Sequence, residues 1–164
     1  RYWKCTHKFG IELPKSVKEA YAIDRRTGTD FWRLAIEKEM ANNAIAFEFC
    51  DGDVIPIGFK HIDCHMIFDI KSDLTRKARF VAGGHQTDPP KESIYSSVVS
   101  RDSVRIAFML AALNDLDVLA ADVQNAYLNA STKEKVYTTA GPEFGPTNQG
   151  RPVLNRKGII WFEK

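Results

Sequence analysis

The chain has 164 residues, a formal net charge of +2, 44% hydrophobic residues and 27% charged residues. This composition supplies enough apolar side chains for one folded domain and excludes a chain that is disordered throughout. The three cysteines, which are widely spaced, form no disulfide framework, so we expect an intracellular compartment, the cytoplasm or the nucleus. We expect neither a signal peptide nor a membrane partner, because no apolar run approaches the roughly 20 residues of a membrane helix.

The N-terminal part predicts two helices. Residues 1–28 are weakly patterned, and we expect only a short helix over about residues 16–23, with Ser16 as its cap. A clearer helix follows, capped by Thr29 or Asp30. Its apolar residues recur at helical spacing: Trp32, Ala35, Ile36 and Met40.

Residues 62–70 and 76–82 alternate between apolar and polar side chains. This alternation predicts two strands, each with one apolar face, joined by the polar residues 71–75. The two strands are interpreted as a β-hairpin. Its outer face carries the basic residues Lys77 and Arg79.

Residues 85–99 predict a loop, and Ser100 or Ser103 caps the helix that follows. That helix is apolar on most sides, which indicates burial on several sides. Residues 116–123 are mostly apolar, which predicts a strand buried on both faces, with Asp122 near its end.

The C-terminal part predicts a helical turn over residues 125–130, a strand over residues 135–139 and a short apolar tail over residues 159–162. Runs of strands and helices that do not alternate regularly are typical of an α+β fold. We therefore expect antiparallel strands packed against two or three helices.

Asp122 is the first candidate for chemistry. A carboxylate at the end of a buried strand is costly unless it is paired or bound to a metal. Mg²⁺ binds carboxylate and backbone carbonyl oxygens, which makes Asp122 a candidate ligand. The alternative is that Asp122 caps the turn that follows, and its spacing alone leaves both interpretations open.

The second candidate site is the basic run at Arg76, Lys77 and Arg79. Arginine and lysine side chains together suit polyphosphate, so the run is a candidate phosphate clamp. The alternative is a solvated strand face that discourages pairing at the sheet edge.

A third group, His61, Cys64 and His65, contains side chains that bind softer metals such as zinc. Period-two alternation places Cys64 and His65 on opposite faces of the strand, and no Cys-x-x-Cys spacing occurs. We therefore interpret Cys64 as a small core residue.

Several motifs follow one another in a fixed order along residues 30–145. Asp-Val-Gln-Asn-Ala-Tyr-Leu-Asn at 122–129 resembles the first catalytic-aspartate motif of copia-type LTR-retrotransposon reverse transcriptases, which are RNA-dependent DNA polymerases. The other blocks similar to this family are Phe31-Trp32 with Glu37 and Glu39, Lys-Ala-Arg-Phe-Val-Ala-Gly-Gly at 77–84, Tyr-Ser-Ser-Val-Val-Ser at 95–100, Ser-Val-Arg at 103–105, Glu-Lys-Val-Tyr at 134–137 and Gly-Pro-Glu-Phe-Gly at 141–145.

The resemblance implies a partial right-hand polymerase, with the hairpin as fingers and the strand before Asp122 as palm. Asp122 would be the catalytic aspartate that binds two Mg²⁺ ions, with the Val123 backbone carbonyl as a further ligand. Tyr127 would exclude a ribose 2′-hydroxyl, and Lys77 and Arg79 would contact the incoming triphosphate. An RNA template, a DNA primer and dNTPs would be the partners of a two-metal nucleotidyl transfer.

The sequence departs from the family pattern in two places. No Asp-Asp pair occurs anywhere, so the Tyr-x-Asp-Asp motif that supplies the remaining carboxylates is missing, and the Leu-Tyr-Gly-Leu-Lys-Gln block is not recognisable. One carboxylate does not hold two Mg²⁺ ions. We therefore expect weak or absent Mg²⁺ binding and no polymerase activity from this chain alone. A sheet without the later palm strands would expose an apolar edge and self-associate, with the apolar tail covering part of it.

The sequence thus predicts three parts: a poorly patterned segment over 1–28, fingers and partial palm over 29–145, and a divergent tail over 146–164. The predicted function is that of a piece of a reverse transcriptase, active within a longer polyprotein whose other parts are its partners. The alternatives are a catalytically dead remnant that binds nucleic acid through its basic hairpin, or a product without a selected function.

Overall fold

The computed structural model describes residues 5–50, 52, 54–83, 98–123, 126–129, 132, 134–157 and 160–162. Within these ranges lie nine strands and three α-helices, which confirms the predicted α+β class. Two of the strand pairings are parallel, so the sheets are mixed rather than purely antiparallel as predicted. In the same ranges no helix has the length and apolar character needed to cross a membrane.

The N-terminal segment folds into a short hairpin followed by a helix. Strands β1 (His7–Lys8) and β2 (Ile11–Glu12) pair in antiparallel orientation. Helix α1 (Val17–Thr27) is longer than predicted. Its predicted cap is confirmed, because the Ser16 hydroxyl accepts the Glu19 N–H at 3.2 Å.

Helix α2 (Phe31–Asn43) receives its cap from the preceding helix. The buried carboxylate of Asp24 accepts the backbone N–H of Trp32 at 3.2 Å and that of Arg33 at 2.8 Å. Asp30, at the cap position, makes no side-chain cap bond. The predicted local cap is therefore wrong, because a carboxylate one helix away satisfies the free N–H groups instead.

Strands β5 (Cys64–Ile70) and β6 (Arg76–Gly83) form the predicted antiparallel hairpin. Helices α1 and α2 pack on its inner face, where Trp32 meets Phe68 edge-on with ring centroids 5.6 Å apart. The buried apolar residues of this core come from all these elements: Leu13, Val17, Ala20, Ile23, Trp32, Ile36, Met66, Phe68, Ile70, Ala78 and Phe80.

A second sheet contains four strands: β3 (Phe47–Phe49), β4 (Lys60–His61), β7 (Val136–Thr139) and β8 (Pro152–Asn155). Their order across the sheet is β3, β8, β7, β4. The predicted strand over 135–139 is confirmed as β7. Strand β4 pairs with β7 in parallel orientation, and the remaining pairs are antiparallel.

Phe144 joins the second sheet to the hairpin. It ends the 3-10 turn Pro142–Phe144, and its ring packs edge-on against Phe47 and Phe80 with centroid distances of 5.4 and 5.6 Å. The Gly-Pro-Glu-Phe-Gly block therefore supplies an aromatic residue that contacts both the four-stranded sheet and the hairpin.

The apolar tail forms strand β9 (Ile160–Phe162), which runs parallel to the end of β6. In the register of this pair, Val81 lies opposite Ile160 and Gly83 lies opposite Phe162. The backbone of the tail thus covers part of one edge of the hairpin. That the tail covers an edge left by missing palm strands stays a prediction.

Residues 88–124 form one compact unit, and residues 1–87 with 125–164 form the other. In the first of these, helix α3 (Arg101–Leu113) begins after the predicted cap Ser100, whose hydroxyl accepts the Ser103 N–H at 3.0 Å. The predicted burial is wrong, because Ala111 is the single buried residue of α3. A unit below ~40 residues has too little surface to bury for a core of its own.

The loop predicted over residues 85–99 lies mostly outside the described part of the chain.

Residues 116–123 form no strand, so the buried strand predicted before Asp122 is wrong. Leu119 is 93% exposed and Val123 is 67% exposed. A strand needs neighbours that satisfy its N–H and C=O groups, and no strand of the described ranges pairs with this segment.

The predicted boundaries after residues 28 and 145 concern the extent of the reverse-transcriptase part and stay a prediction. In the packing, Leu13 and Val17 of the first segment belong to the hairpin core. Val153, from the tail, is fully buried within the four-stranded sheet. Both segments are integral to the larger compact unit.

Candidate nucleic-acid interface

Lys77 and Arg79 share the outer face of the β5–β6 hairpin. In the register of the two strands, Lys77 lies opposite Asp69 and Arg79 lies opposite Ile67. Lys77 is half-buried and Arg79 is exposed. The predicted placement of the two basic side chains on one face is therefore confirmed.

A third basic residue, Lys8, forms a salt bridge with Asp69, the carboxylate opposite Lys77. Lys8 of β1 donates a hydrogen bond of 2.6 Å to the Asp69 carboxylate, and the Ile70 N–H donates to the same oxygen at 2.8 Å. Burial opposes the charge on Asp69, but these two hydrogen bonds, together with the charges of Lys8 and Arg79, outweigh it and lower the pKa of the carboxyl group. Lys8 forms the salt bridge to Asp69, and among the residues that the structure describes neither Lys77 nor Arg79 forms one.

The positive charges on the outer face repel one another. Partial burial, followed by the charges of Arg79 and Lys71, lowers the pKa of Lys77, while Glu39 and Asp69 act in the opposite direction. Clustered positive charges that no salt bridge holds attract a multivalent anion. The arrangement can therefore bind phosphate groups, with a planar donor fork from Arg79 beside a point charge from Lys77.

Arg76 does not belong to this face. It pairs with Ile70 on the inner face, lies over the Phe31 ring at 4.9 Å and donates to the Leu74 carbonyl at 2.7 Å. The basic run singled out in the sequence therefore splits into two outward charges and one structural arginine.

Glu39 is a residue whose role the sequence reasoning missed. Its carboxylate accepts the backbone N–H of Phe80, in the strand that carries both basic residues, at 3.0 Å. The helix that carries Glu39 and the strand that carries Phe80 were each predicted from the sequence, but the packing of one against the other was not. Helix α2 is thereby joined to the basic strand through a charge-assisted hydrogen bond.

Asp122 and Val123 lie in the compact unit of residues 88–124 and outside any strand or helix. Both are exposed, so the cost of a buried carboxylate that supported the metal interpretation does not arise at Asp122. In the described ranges no hydrogen bond reaches its carboxylate. Tyr127 lies in a 3-10 turn, Ala126–Asn129, that confirms the predicted helical turn; the Tyr127 side chain is outside the described part of the chain.

The donor set of the described residues does not fit two catalytic metal ions. A hard cation such as Mg²⁺ takes about six oxygen ligands, several of them from carboxylates or phosphates. Asp122 offers one carboxylate, and within the described ranges no three His, Cys, Asp or Glu side chains come together to hold an ion. No catalytic step is therefore assigned to a metal on this chain.

Cys64 packs against the two apolar clusters as a small core residue, as the alternation predicted. Burial raises the pKa of its thiol to about 11, which disfavours the thiolate that metals bind. His61 instead lies at the surface, where its ring packs against Tyr137 with centroids 5.1 Å apart.

Comparison with known proteins identifies the family. A family model described as reverse transcriptase (RNA-dependent DNA polymerase) matches residues 50–157. The Ty1-BL, Ty1-LR3 and Ty1-PR1 transposon Gag-Pol polyproteins of Saccharomyces cerevisiae (strain ATCC 204508 / S288c) are each 30% identical to the chain over 110 residues. That alignment covers 62% of this chain and 6% of each polyprotein.

The chain thus spans a small part of the length of these relatives, and no solved structure matches it. The resemblance read from the ordered motifs is confirmed by the two sequence comparisons. Since the family model covers more than half of its residues, the chain belongs to the reverse transcriptase family of RNA-dependent DNA polymerases.

Proposed function

We propose that this chain is the fingers part and the beginning of the palm of a retrotransposon reverse transcriptase, and that its hairpin binds phosphate groups of nucleic acid or of the incoming nucleotide. The observation that supports this proposal is the pair Lys77 and Arg79 on one hairpin face, with the facing Asp69 held by Lys8. The family match over residues 50–157 supplies the polymerase context.

Asp122, the Val123 carbonyl and Tyr127 belong to the same proposal through the motif that they share with the family. Asp122 is assigned as a catalytic and metal-binding position of the longer enzyme, and Tyr127 as the residue that contacts the nucleotide sugar. The RNA template, the DNA primer, the dNTP and the other parts of the polyprotein are the proposed partners of that enzyme.

Polymerase activity is proposed to require carboxylates that this sequence does not contain, because Asp122 has no Asp-Asp pair to complete a two-metal site. The test is dNTP incorporation on a primed RNA template with Mg²⁺. We expect no incorporation by the chain alone. Incorporation that disappears in Asp122→Ala would overturn this part of the proposal.

The phosphate-binding role is tested by titrating the chain into a fluorescent primer–template and measuring anisotropy over a range of salt concentrations. Each phosphate contact contributes about 0.7–0.9 to the slope of log K against log salt. We expect Lys77→Ala and Arg79→Ala each to weaken binding and to reduce this slope by about one contact. Lys18→Ala, which removes an exposed charge from helix α1, is the matched control.

Equal losses in Lys18→Ala and Lys77→Ala would contradict the proposal, because they would show that binding follows net charge alone. A salt dependence that is unchanged in both hairpin variants would contradict it as well. Specific losses confined to Lys77→Ala and Arg79→Ala would support it.

A further inference from the structure

The basic strand β6 has an edge that β5 does not cover. Beyond Phe80 this edge is paired with β9, from Val81 to Gly83. At Phe80 itself the backbone N–H points to helix α2 and donates to Glu39 at 3.0 Å. A carboxylate thus replaces a neighbouring strand at the position directly after Arg79.

The Glu39 carboxylate is held in place from a second side. The same oxygen that accepts the Phe80 N–H also accepts the Asn43 side-chain amide at 3.0 Å, and that amide donates to the Glu39 carbonyl at 2.8 Å. Asn43 is buried, and Phe80 is 1% exposed. An acceptor oxygen that a second donor holds in place gives the Phe80 N–H a fixed partner, so this contact joins β6 to α2.

The Glu39–Phe80 hydrogen bond is made by the backbone at the edge of β6, and the side chains of the strand point to the two faces on either side of it. Phe80 points into the core, and Arg79 and Lys77 point outward on the other face. A backbone that is anchored at Phe80 therefore sets the position of both basic side chains without touching them.

We propose that Glu39 is a positioning residue of the phosphate-binding face, acting through the Phe80 N–H to hold Lys77 and Arg79 in place. This inference rests on the proposed phosphate-binding function of the hairpin. The acceptor oxygen, rather than the negative charge, carries the effect.

The test uses the full 164-residue chain and the same fluorescent primer–template. Glu39→Ala removes the acceptor, Glu39→Gln keeps an acceptor but removes the charge, and Glu37→Ala is the matched control. Glu37 lies on the same helix, is exposed and bonds only to Arg33 among the described residues. Each of the three substitutions removes one negative charge and so raises the net charge of the chain by one, which by itself tightens binding to nucleic acid.

We expect Glu39→Ala to weaken binding about fivefold, the factor that corresponds to one hydrogen bond of about 1 kcal/mol. Glu39→Gln should restore the affinity, and Glu37→Ala should bind no more weakly than the parent chain. Equal affinities of Glu39→Ala and Glu37→Ala would overturn the inference. Weak binding by Glu39→Gln would overturn it too, because the charge would then be the cause.

A further variant decides the case if Glu39→Ala does not fold. Glu39→Asp keeps the net charge but shortens the side chain by one methylene, so a loss of affinity supports positioning and an unchanged affinity contradicts it.

The inference and the proposed function fail in different ways. If Lys77→Ala and Arg79→Ala leave binding unchanged, the proposed function falls and the positioning role falls with it. If those two variants weaken binding but Glu39→Ala does not, only the positioning role is overturned.

Discussion

The inner face of the β5–β6 hairpin is sealed from solvent, whereas the apolar side chains of residues 101–123 are mostly exposed. Phe80 on β6 is 1% exposed, and Phe108 on α3 is 55% exposed. Both residues belong to regular apolar patterns, one with the period of a strand and one with that of a helix. The difference therefore lies in what surrounds each pattern.

The hairpin has neighbouring elements that bury its apolar face. Its two strands hydrogen-bond to each other, and helices α1 and α2, which precede it in the chain, pack on its inner face. Residues 88–124 form a unit too small to cover α3. Apolar periodicity thus predicts which side of an element is ready for burial, and other elements decide whether burial occurs.

The same truncation in the two regions gives the largest expected contrast. Phe80→Ala should destabilise the chain by about 3–5 kcal/mol, because it leaves a cavity under the hairpin. Phe108→Ala should cost less than about 1 kcal/mol, since much of that ring is already in water. Urea unfolding followed by far-UV circular dichroism measures both. Similar midpoints for the two variants would show that α3 is covered in solution.

The sequence was sufficient for features that depend on neighbouring residues. Alternation located both strands of the hairpin and placed Lys77 and Arg79 on one face, and the caps Ser16 and Ser100 followed from their local spacing. The strand predicted over 116–123 failed because its pattern gave no information about a pairing partner.

The contacts that organise the site were beyond local reasoning. Lys8 and Asp69 are 61 positions apart, and Glu39 and Phe80 are 41 positions apart. Nothing in the spacing of either pair indicates that they meet, because only the packing of α2 and of the N-terminal hairpin on the sheet brings them together. The motif order identified the family, while the arrangement around the basic face required coordinates.

A second prediction compares the helix caps of the two regions. Asp24→Ala should cost about 2–3 kcal/mol, because the N–H groups of Trp32 and Arg33 lose a buried charged acceptor. Ser100→Ala removes an exposed cap and should cost about 0.5–1 kcal/mol. Equilibrium unfolding gives the two free energies. Asp24→Asn, which keeps one acceptor oxygen, should recover part of the loss.

Comparing Asp24→Ala with Ser100→Ala tests whether the buried cap of α2 stabilises the fold more than the exposed cap of α3 does. If Asp24→Ala is no more damaging than Ser100→Ala, then water replaces the carboxylate at α2 and the cap is local, as it is at α3. Hydrogen exchange at Trp32 and Arg33 separates these cases, because a water-satisfied helix start exchanges rapidly.

The smallest expected effect concerns a carboxylate of the larger unit and its dependence on pH. Burial raises the pKa of Glu143, although hydrogen bonds from the backbone N–H groups of Glu143 and Gly141 offset part of the rise. The folded state therefore binds the proton more tightly than the unfolded state does. This contribution to stability is present at low pH and is lost as the pH rises through the folded-state pKa.

Glu143→Gln keeps the shape of the side chain without its charge, so the variant should be more stable than the parent at neutral pH. The advantage should shrink as the pH falls and vanish below the ordinary pKa of glutamate, about 4.3, where the parent carboxyl is protonated in both states. Unfolding free energies measured across this range test the sign. Asp122→Asn, at an exposed carboxylate in the smaller unit, is the control and should change stability by less than about 0.5 kcal/mol at neutral pH. A gain for Glu143→Gln that persisted into acid would point to the hydrogen bonds of the amide, because the desolvated charge no longer exists there.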